Sequence, residues 1–247
     1  MRRPAQTLLL TLTGIGLLHA ALFTDIYLRY VKAGLRPLLI TSGVVLLLLG
    51  LAAAAARGGP ERAGHDDHEP DPGHGHAHTA APRVAWLLFL PALSLLLYAP
   101  PALGAYTAAR SNARPVGVQK GFTPLPATSP LPMTLTDFTK RVQQDPSRAI
   151  STRLVRLTGF VTPAAGGGWY LTRIIFTCCA ADSQTVKIRV YGTEAPPANT
   201  WLAVTGTWHP QGTLGTSTAQ AALDAKDTRP IAQPVNAYTD DLPLTPS

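Results

Sequence analysis

Five of the seven histidines stand within fourteen residues, at His65, His68, His74, His76 and His78, with Asp66, Asp67, Glu69 and Asp71 among them. Neutral imidazole is a good ligand for zinc, copper and nickel, and His-x-His on a flexible chain can wrap an ion without a preformed cage. The second concentration of chemistry is the adjacent pair Cys178 and Cys179, followed closely by Asp182. If the pair ends a strand, its side chains point to opposite faces, which makes an ordinary structural disulfide between them awkward. Three readings stay open: a strained, redox-active vicinal disulfide, a thiolate pair for a soft metal, or a buried small apolar residue. With only two cysteines there is no zinc-ribbon spacing, so a metal site here would have to recruit Asp182 or His209.

The histidines lie in residues 57–83, a polar stretch rich in Gly and Pro that is expected to be disordered. Such a loop would bind transition metal weakly and with little selectivity, which favours capture or buffering over compositional accident. Metal-dependent catalysis is not expected from it, because catalysis needs rigid inner and outer ligand shells. No Ser–His–Asp arrangement, paired-carboxylate motif or phosphate-binding glycine loop appears elsewhere, so the expectation is a chain that is not an enzyme. The triple glycine at 166–168 lacks a following Lys-Ser/Thr and reads as a turn.

The elements that would position these groups differ sharply along the 247 residues. Before Tyr106 the chain is dominated by apolar runs at 8–23, 37–56 and 84–103, each close to the length needed to cross about 30 Å of hydrocarbon as a helix. Tyr27, Tyr30, Trp86 and Tyr98 stand near the ends of these runs, where aromatic rings favour the interface. The basic start followed by a short apolar run also resembles a signal peptide, but no small-residue cleavage site is evident before the polar patch at 24–30, so an uncleaved first span is expected. His19 falls within that span and Asp25 near its end. Ionisable groups in spans often line pathways, but two of them do not make one. Arg2 and Arg3 favour a cytoplasmic start and, with three spans, an extracytoplasmic C-terminal part; Arg29, Lys32 and Arg36 pull the other way. The net charge of +7 sits at span edges or is scattered, so the bilayer is the expected partner and nucleic acid is not.

The expected organisation is a three-helix membrane region (1–104), a Pro-rich linker (105–133) and a soluble β-rich domain (134–247). A short helix capped by Thr136 should present Phe138 and Val142 on one face and stop at Asp145-Pro146. Strands are expected at 154–161, 169–178, 186–191 and 201–208, with a weaker one at 231–238. Val186, Ile188 and Val190 alternate onto one face. Five short strands, with glycine in two of them (Gly159 and Gly206), suit a small OB-like barrel, with a β-sandwich as the alternative.

The run from Thr172 to Gly192 resembles the signature of the YcgQ-like family of permease subunits: an Arg, a hydrophobic strand, Cys-Cys-x-Ala-Asp and another strand. Arg173, Cys178, Cys179, Ala181 and Asp182 match it, and Ser183 stands where a second Ala is expected. Tyr30-Val31-Lys32 before a span, the His-rich loop and Pro100 to Gly104 are similar to actinobacterial members. The resemblance implies a membrane partner of a larger multi-span permease, with a link to metal handling and to zinc especially. It carries no catalytic residues. The expected function is thus an accessory permease subunit for transition-metal or small-solute transport, with zinc or another transition metal as the only cofactor in question. The rivals are a membrane-anchored thiol redox protein and a non-catalytic scaffold.

Overall fold

The computed structural model describes residues 2–56, 103–111 and 116–244. Its N-terminal part holds two helices long and apolar enough to cross a membrane, α1 (Arg2–Phe23) and α2 (Arg36–Ala55). Twenty residues at 1.5 Å each give α2 a length of about 30 Å, the thickness of a hydrocarbon core. Leu12, Leu38 and Leu48 are each more than half exposed. An uncovered apolar surface of this kind is unlike the core helix of a soluble protein, whose leucines are packed away.

The two helices pack side by side through small residues. A Cβ on Gly14 would stand 2.8 Å from the Gly43 carbonyl, and one on Gly50 would meet the Thr11 side chain. Close backbone approach through Gly and Thr is how helices associate where lipid removes the hydrophobic drive between them. The end of α1 leaves carbonyls without intrahelical partners. The Thr24 hydroxyl donates to the Ala20 carbonyl, and Arg36 Nε donates to that of Ala21, each at 2.9 Å. Of the expected third span, 84–103, only Leu103 lies among the described residues, and the histidine-bearing stretch lies wholly outside them.

The C-terminal part is a six-stranded mixed sheet: β1 (Leu131–Pro132), β2 (Val155–Pro163), β3 (Trp169–Ile175), β4 (Gln184–Tyr191), β5 (Trp201–Trp208) and β6 (Ala222–Pro230). The pairing order is β1-β2-β3-β4-β6-β5, and β5 pairs back onto β2. The β1–β2 and β4–β6 pairs are parallel and the rest antiparallel. Alternation along β2 divides the interior. Val155, Leu157 and Val161 enter one apolar cluster with Trp169, Ile188 and Leu223, while Phe160 enters a second with Ile174, Phe176 and Tyr238. Both faces of β2 are covered, so it is buried almost throughout, Thr158 and Thr162 included.

Helix α4 (Leu135–Gln144) seals the first cluster with Phe138 and Val142, both fully buried. Its cap is Thr134 rather than the expected Thr136: the Thr134 hydroxyl accepts from the Asp137 amide at 3.1 Å. The second cluster is covered by α3 (Ala105–Arg110), whose Ala105 and Ala108 are buried. Part of the expected linker therefore packs onto the domain.

Two further expectations need correction. The weak fifth strand is not at 231–238 but at Ala222–Pro230, and the later stretch instead presses Ala237 and Tyr238 into the second cluster. The cysteines are not on a strand, because β3 ends at Ile175. Within the strands the fit is tightest at Gly206, next to a register shift between β5 and β6, where a Cβ would collide with the Asp224 carbonyl. Gly206→Ala is expected to destabilise the domain by about 1–3 kcal/mol. Gly166→Ala, into open space, should stay within about 0.5 kcal/mol of the parent. Unfolding of the full chain in mild detergent, followed by tryptophan emission, checks both.

Candidate functional site

The Cys178–Cys179 turn is built by one carboxylate. After β3, Phe176 is held down: its amide donates to the Tyr238 carbonyl at 3.0 Å, and its ring stacks on Tyr238 with centroids 4.7 Å apart. The chain then doubles back through an extended Cys179 and a single 3-10 turn, Ala180–Asp182. Asp182 Oδ1 accepts from the amides of Thr177 (3.0 Å) and Cys179 (3.3 Å), and Oδ2 accepts from that of Cys178 (2.7 Å). Three consecutive amides converging on an anion form a backbone nest. Cys179 closes the arrangement from the other side, its sulfur accepting from the Asp182 amide. The spacing Cys-Cys-x-x-Asp thus has a structural cause: it sets the carboxylate opposite the amides it must satisfy.

The same carboxylate controls the thiols, which are both free, with Cys178 exposed and Cys179 half-buried. Cys178 is pushed up to about 11, first by the hydrogen bond of its thiol to Asp182 and then by its contact with Cys179. Partial desolvation works to raise Asp182, but the Cys178 thiol and the backbone amides outweigh it and hold the carboxyl below its ordinary value. Near neutrality the turn therefore pairs a carboxylate with a protonated thiol. Reactive cysteines need the opposite shift, toward the thiolate. A soft metal would have to displace the thiol proton to bind here. Among the described residues no group of three His, Cys, Asp or Glu side chains is placed to hold a metal ion.

The turn also makes a long-range contact that no side-chain pattern announces. The Lys32 amide donates to the Cys178 carbonyl at 2.9 Å, and the Ala180 amide donates to the Tyr30 carbonyl at 2.8 Å. Together they make an antiparallel bridge between Val31 and Cys179. Residues 30–32 belong to the connection between α1 and α2, so the turn clasps the helical hairpin by main-chain bonds. In the sequence the Tyr30-Val31-Lys32 run stood out by resemblance, by an interfacial aromatic and by a charge, not as a contact.

The remaining expected site residues fall into separate places. His65, His68, His74, His76 and His78 lie outside the described residues. Arg173 is buried and donates to the carbonyls of Asn236 (3.0 Å) and Thr239 (2.9 Å). Burial lowers its pKa to about 10, opposed by Asp240 and Asp241, so the guanidinium stays charged. Arg173 thus anchors the segment against which Phe176 stacks, and supports the cysteine turn indirectly. Ala181 is exposed at the crown of the turn. His209 is engaged elsewhere, 2.7 Å from Asp224 and stacked on Tyr191.

Alkylation follows the thiolate fraction. In a Cys179→Ser background, which removes the Cys179 contribution and leaves that of Asp182, the alkylation rate of Cys178 should have its pH midpoint below about 11 but above the value of about 8.5 for a free thiol. Asp182→Asn removes the charge that opposes ionisation, so it should move that midpoint down and speed alkylation at mildly alkaline pH. An unchanged profile in the variant would remove Asp182 as the cause.

Neither the curated proteins nor the solved structures yield a match to the chain. A family model does match, over residues 137–239, a stretch running from the first turn of α4 to just past Tyr238 and including Arg173, Cys178, Cys179, Ala181 and Asp182. Residues 137–239 are thereby identified as a DUF1980 C-terminal domain.

Proposed function

We propose that the chain is a non-catalytic accessory subunit of a multi-span permease, of the YcgQ-like kind, concerned with transition-metal and above all zinc-like solutes. The observation that carries this reading is the clasp between the cysteine turn and residues 30–32. It fastens a water-facing β domain to a membrane hairpin by main-chain bonds, as a subunit that presents a fixed surface to a partner requires. A motif spent on holding a turn, with its exposed thiol kept protonated, argues against cysteine chemistry as the purpose. For the same reason the redox rival is disfavoured: a cycling dithiol works through its thiolate.

The clasp also bears on topology. It keeps the domain on the side of the α1–α2 connection, whereas Ala56 stands at the far end of α2. By Leu103, whose carbonyl accepts from the Tyr238 hydroxyl at 3.0 Å, the chain is back at the domain. If α2 crosses the bilayer, the chain must cross again before residue 103, and the apolar run 84–103 is the segment suited to it. This supports our reading of three spans, in which the histidine-rich residues 57–83 belong on the side opposite the domain. We take the domain side to be extracytoplasmic, from Arg2 and Arg3 at the start. The ring of pairings β2-β3-β4-β6-β5-β2, with Gly159 and Gly206 at close approaches, supports an OB-like barrel.

In this account the histidines concentrate the ion on one side, and the domain meets the permease on the other. Loss of the chain is expected to change cellular zinc content. Restoration should require residues 57–83, and those residues should also be needed for zinc binding by the purified chain in isothermal titration. Unchanged zinc and other transition-metal content on loss of the chain would overturn the reading.

A further inference from the structure

Two adjoining cavities open between the α1–α2 connection and the domain. The smaller, about 170 Å³, is almost wholly apolar, walled by Leu28, Val31 and Ala33 on one side and Phe176, Val235 and Tyr238 on the other, with Lys32 at its edge. The larger, about 260 Å³, shares Leu28, Val235 and Tyr238 with it and adds Asp25 and Arg29. Both lie beside the segment joining the end of α1 to the start of α2. There the apolar outer surface of the hairpin gives way to polar residues: Phe23 is 77% exposed and Ile26 55%, while Arg29 and Lys32 are also exposed. If the hairpin spans a bilayer, this is the depth at which acyl chains meet headgroups.

The charge on the connection that walls the cavities has one sign in excess. The connection carries Arg29, Lys32 and Arg36 against Asp25 alone. Arg36 is turned to the Ala21 carbonyl and over the Tyr27 ring. Arg29 and Lys32 make no ion pair among the described residues. An apolar slot beside the exposed apolar surface of the hairpin, edged by two such cations, matches a ligand with a hydrocarbon chain and a negative head.

We propose that these cavities bind one anionic glycerophospholipid, an acyl chain lying against Leu28, Val235 and Tyr238 and the phosphate meeting Arg29 and Lys32. The lipid then fills the gap between hairpin and domain beside the main-chain clasp, and would stiffen the joint that two hydrogen bonds hold. It also gives a local reason for basic residues on this side of the membrane, whatever their effect on orientation. The proposal rests on the membrane reading of α1 and α2 but not on a transport role.

The test reconstitutes the full chain in lipid nanodiscs of phosphatidylcholine alone, or mixed with an equal share of phosphatidylglycerol. Native mass spectrometry after release into detergent reads the lipid retained. The expected result is one retained phosphatidylglycerol per chain, and little phosphatidylcholine. Arg29→Gln combined with Lys32→Gln, both on exposed side chains, should lower retention on the order of tenfold. Leu28→Gln should lower it without altering the preference between headgroups. Equal retention of the two lipids, or no effect of the charge variant, overturns the proposal while leaving the membrane reading intact. A chain that never enters the nanodiscs, and that alkaline carbonate strips from native membranes, overturns both. Displacement of the lipid by a protein partner's side chains would appear as loss of retention in the native complex alone, and would also overturn it.

Discussion

The Asp182 carboxylate is the constraint on which the arrangement around the cysteines depends. An anion that collects the amides of Thr177, Cys178 and Cys179 leaves the chain one conformation between β3 and β4. That conformation turns the Cys178 carbonyl and the Ala180 amide outward, toward the main chain of residues 30–32. It also determines which thiol state is stable, because a carboxylate held low beside a thiol favours the proton on sulfur. The motif is therefore best understood as backbone engineering. Its sulfur atoms participate as hydrogen-bonding groups, and the long-range consequence is carried by peptide bonds.

Support for the turn comes from two layers behind it. Phe176 stacks on Tyr238, and Arg173 ties Asn236 and Thr239 to the inside of the sheet. The charge on Arg173 is costly to bury, and carbonyl partners with nearby Asp240 and Asp241 offset that cost. Tyr238 then reaches the Leu103 carbonyl, where the chain rejoins the domain. One short stretch, 236–239, thus links the site, the sheet interior and the return of the chain from its N-terminal region. The second apolar cluster, built from Phe160, Ile174, Phe176 and Tyr238 under α3, is the packing expression of the same junction.

Much of this was legible in the sequence wherever side chains do the positioning. The apolar runs announced α1 and α2 within a residue or two at most ends, strand-forming runs between turn residues announced β2, β3, β4 and β5, and alternation was plain in β4. Strand β6 was not legible, because in Ala222–Pro230 only the first two positions carry buried aliphatic side chains beyond a partly buried Ala225, and the strand is held by its ladder to β5. The apolar stretch after it drew the expectation instead, though Pro234 and its packing on the outer cluster suit it poorly to a strand. The cysteine pair and Asp182 stood out as unusual, but their meaning did not. Their partner lies far upstream and is reached through main-chain atoms, which leave no trace in residue type. The histidine cluster is legible as chemistry alone, since it lies outside the described residues.

The account stands on the clasp between Val31 and Cys179, and geometry makes it directly measurable. The two hydrogen bonds flank that pair, so it occupies a non-hydrogen-bonded site, where antiparallel side chains lie closest, at a Cα separation of about 4.5 Å. That separation is within the range a disulfide accepts. The measurement places Val31→Cys in a Cys178→Ser chain with a protease site inserted in residues 57–83, in native membranes under mild oxidation. The account predicts that, after cleavage, the N- and C-terminal fragments run together on a non-reducing gel and separate on reduction. Fragments that separate without reductant would show that the turn and the hairpin do not meet, and would contradict it.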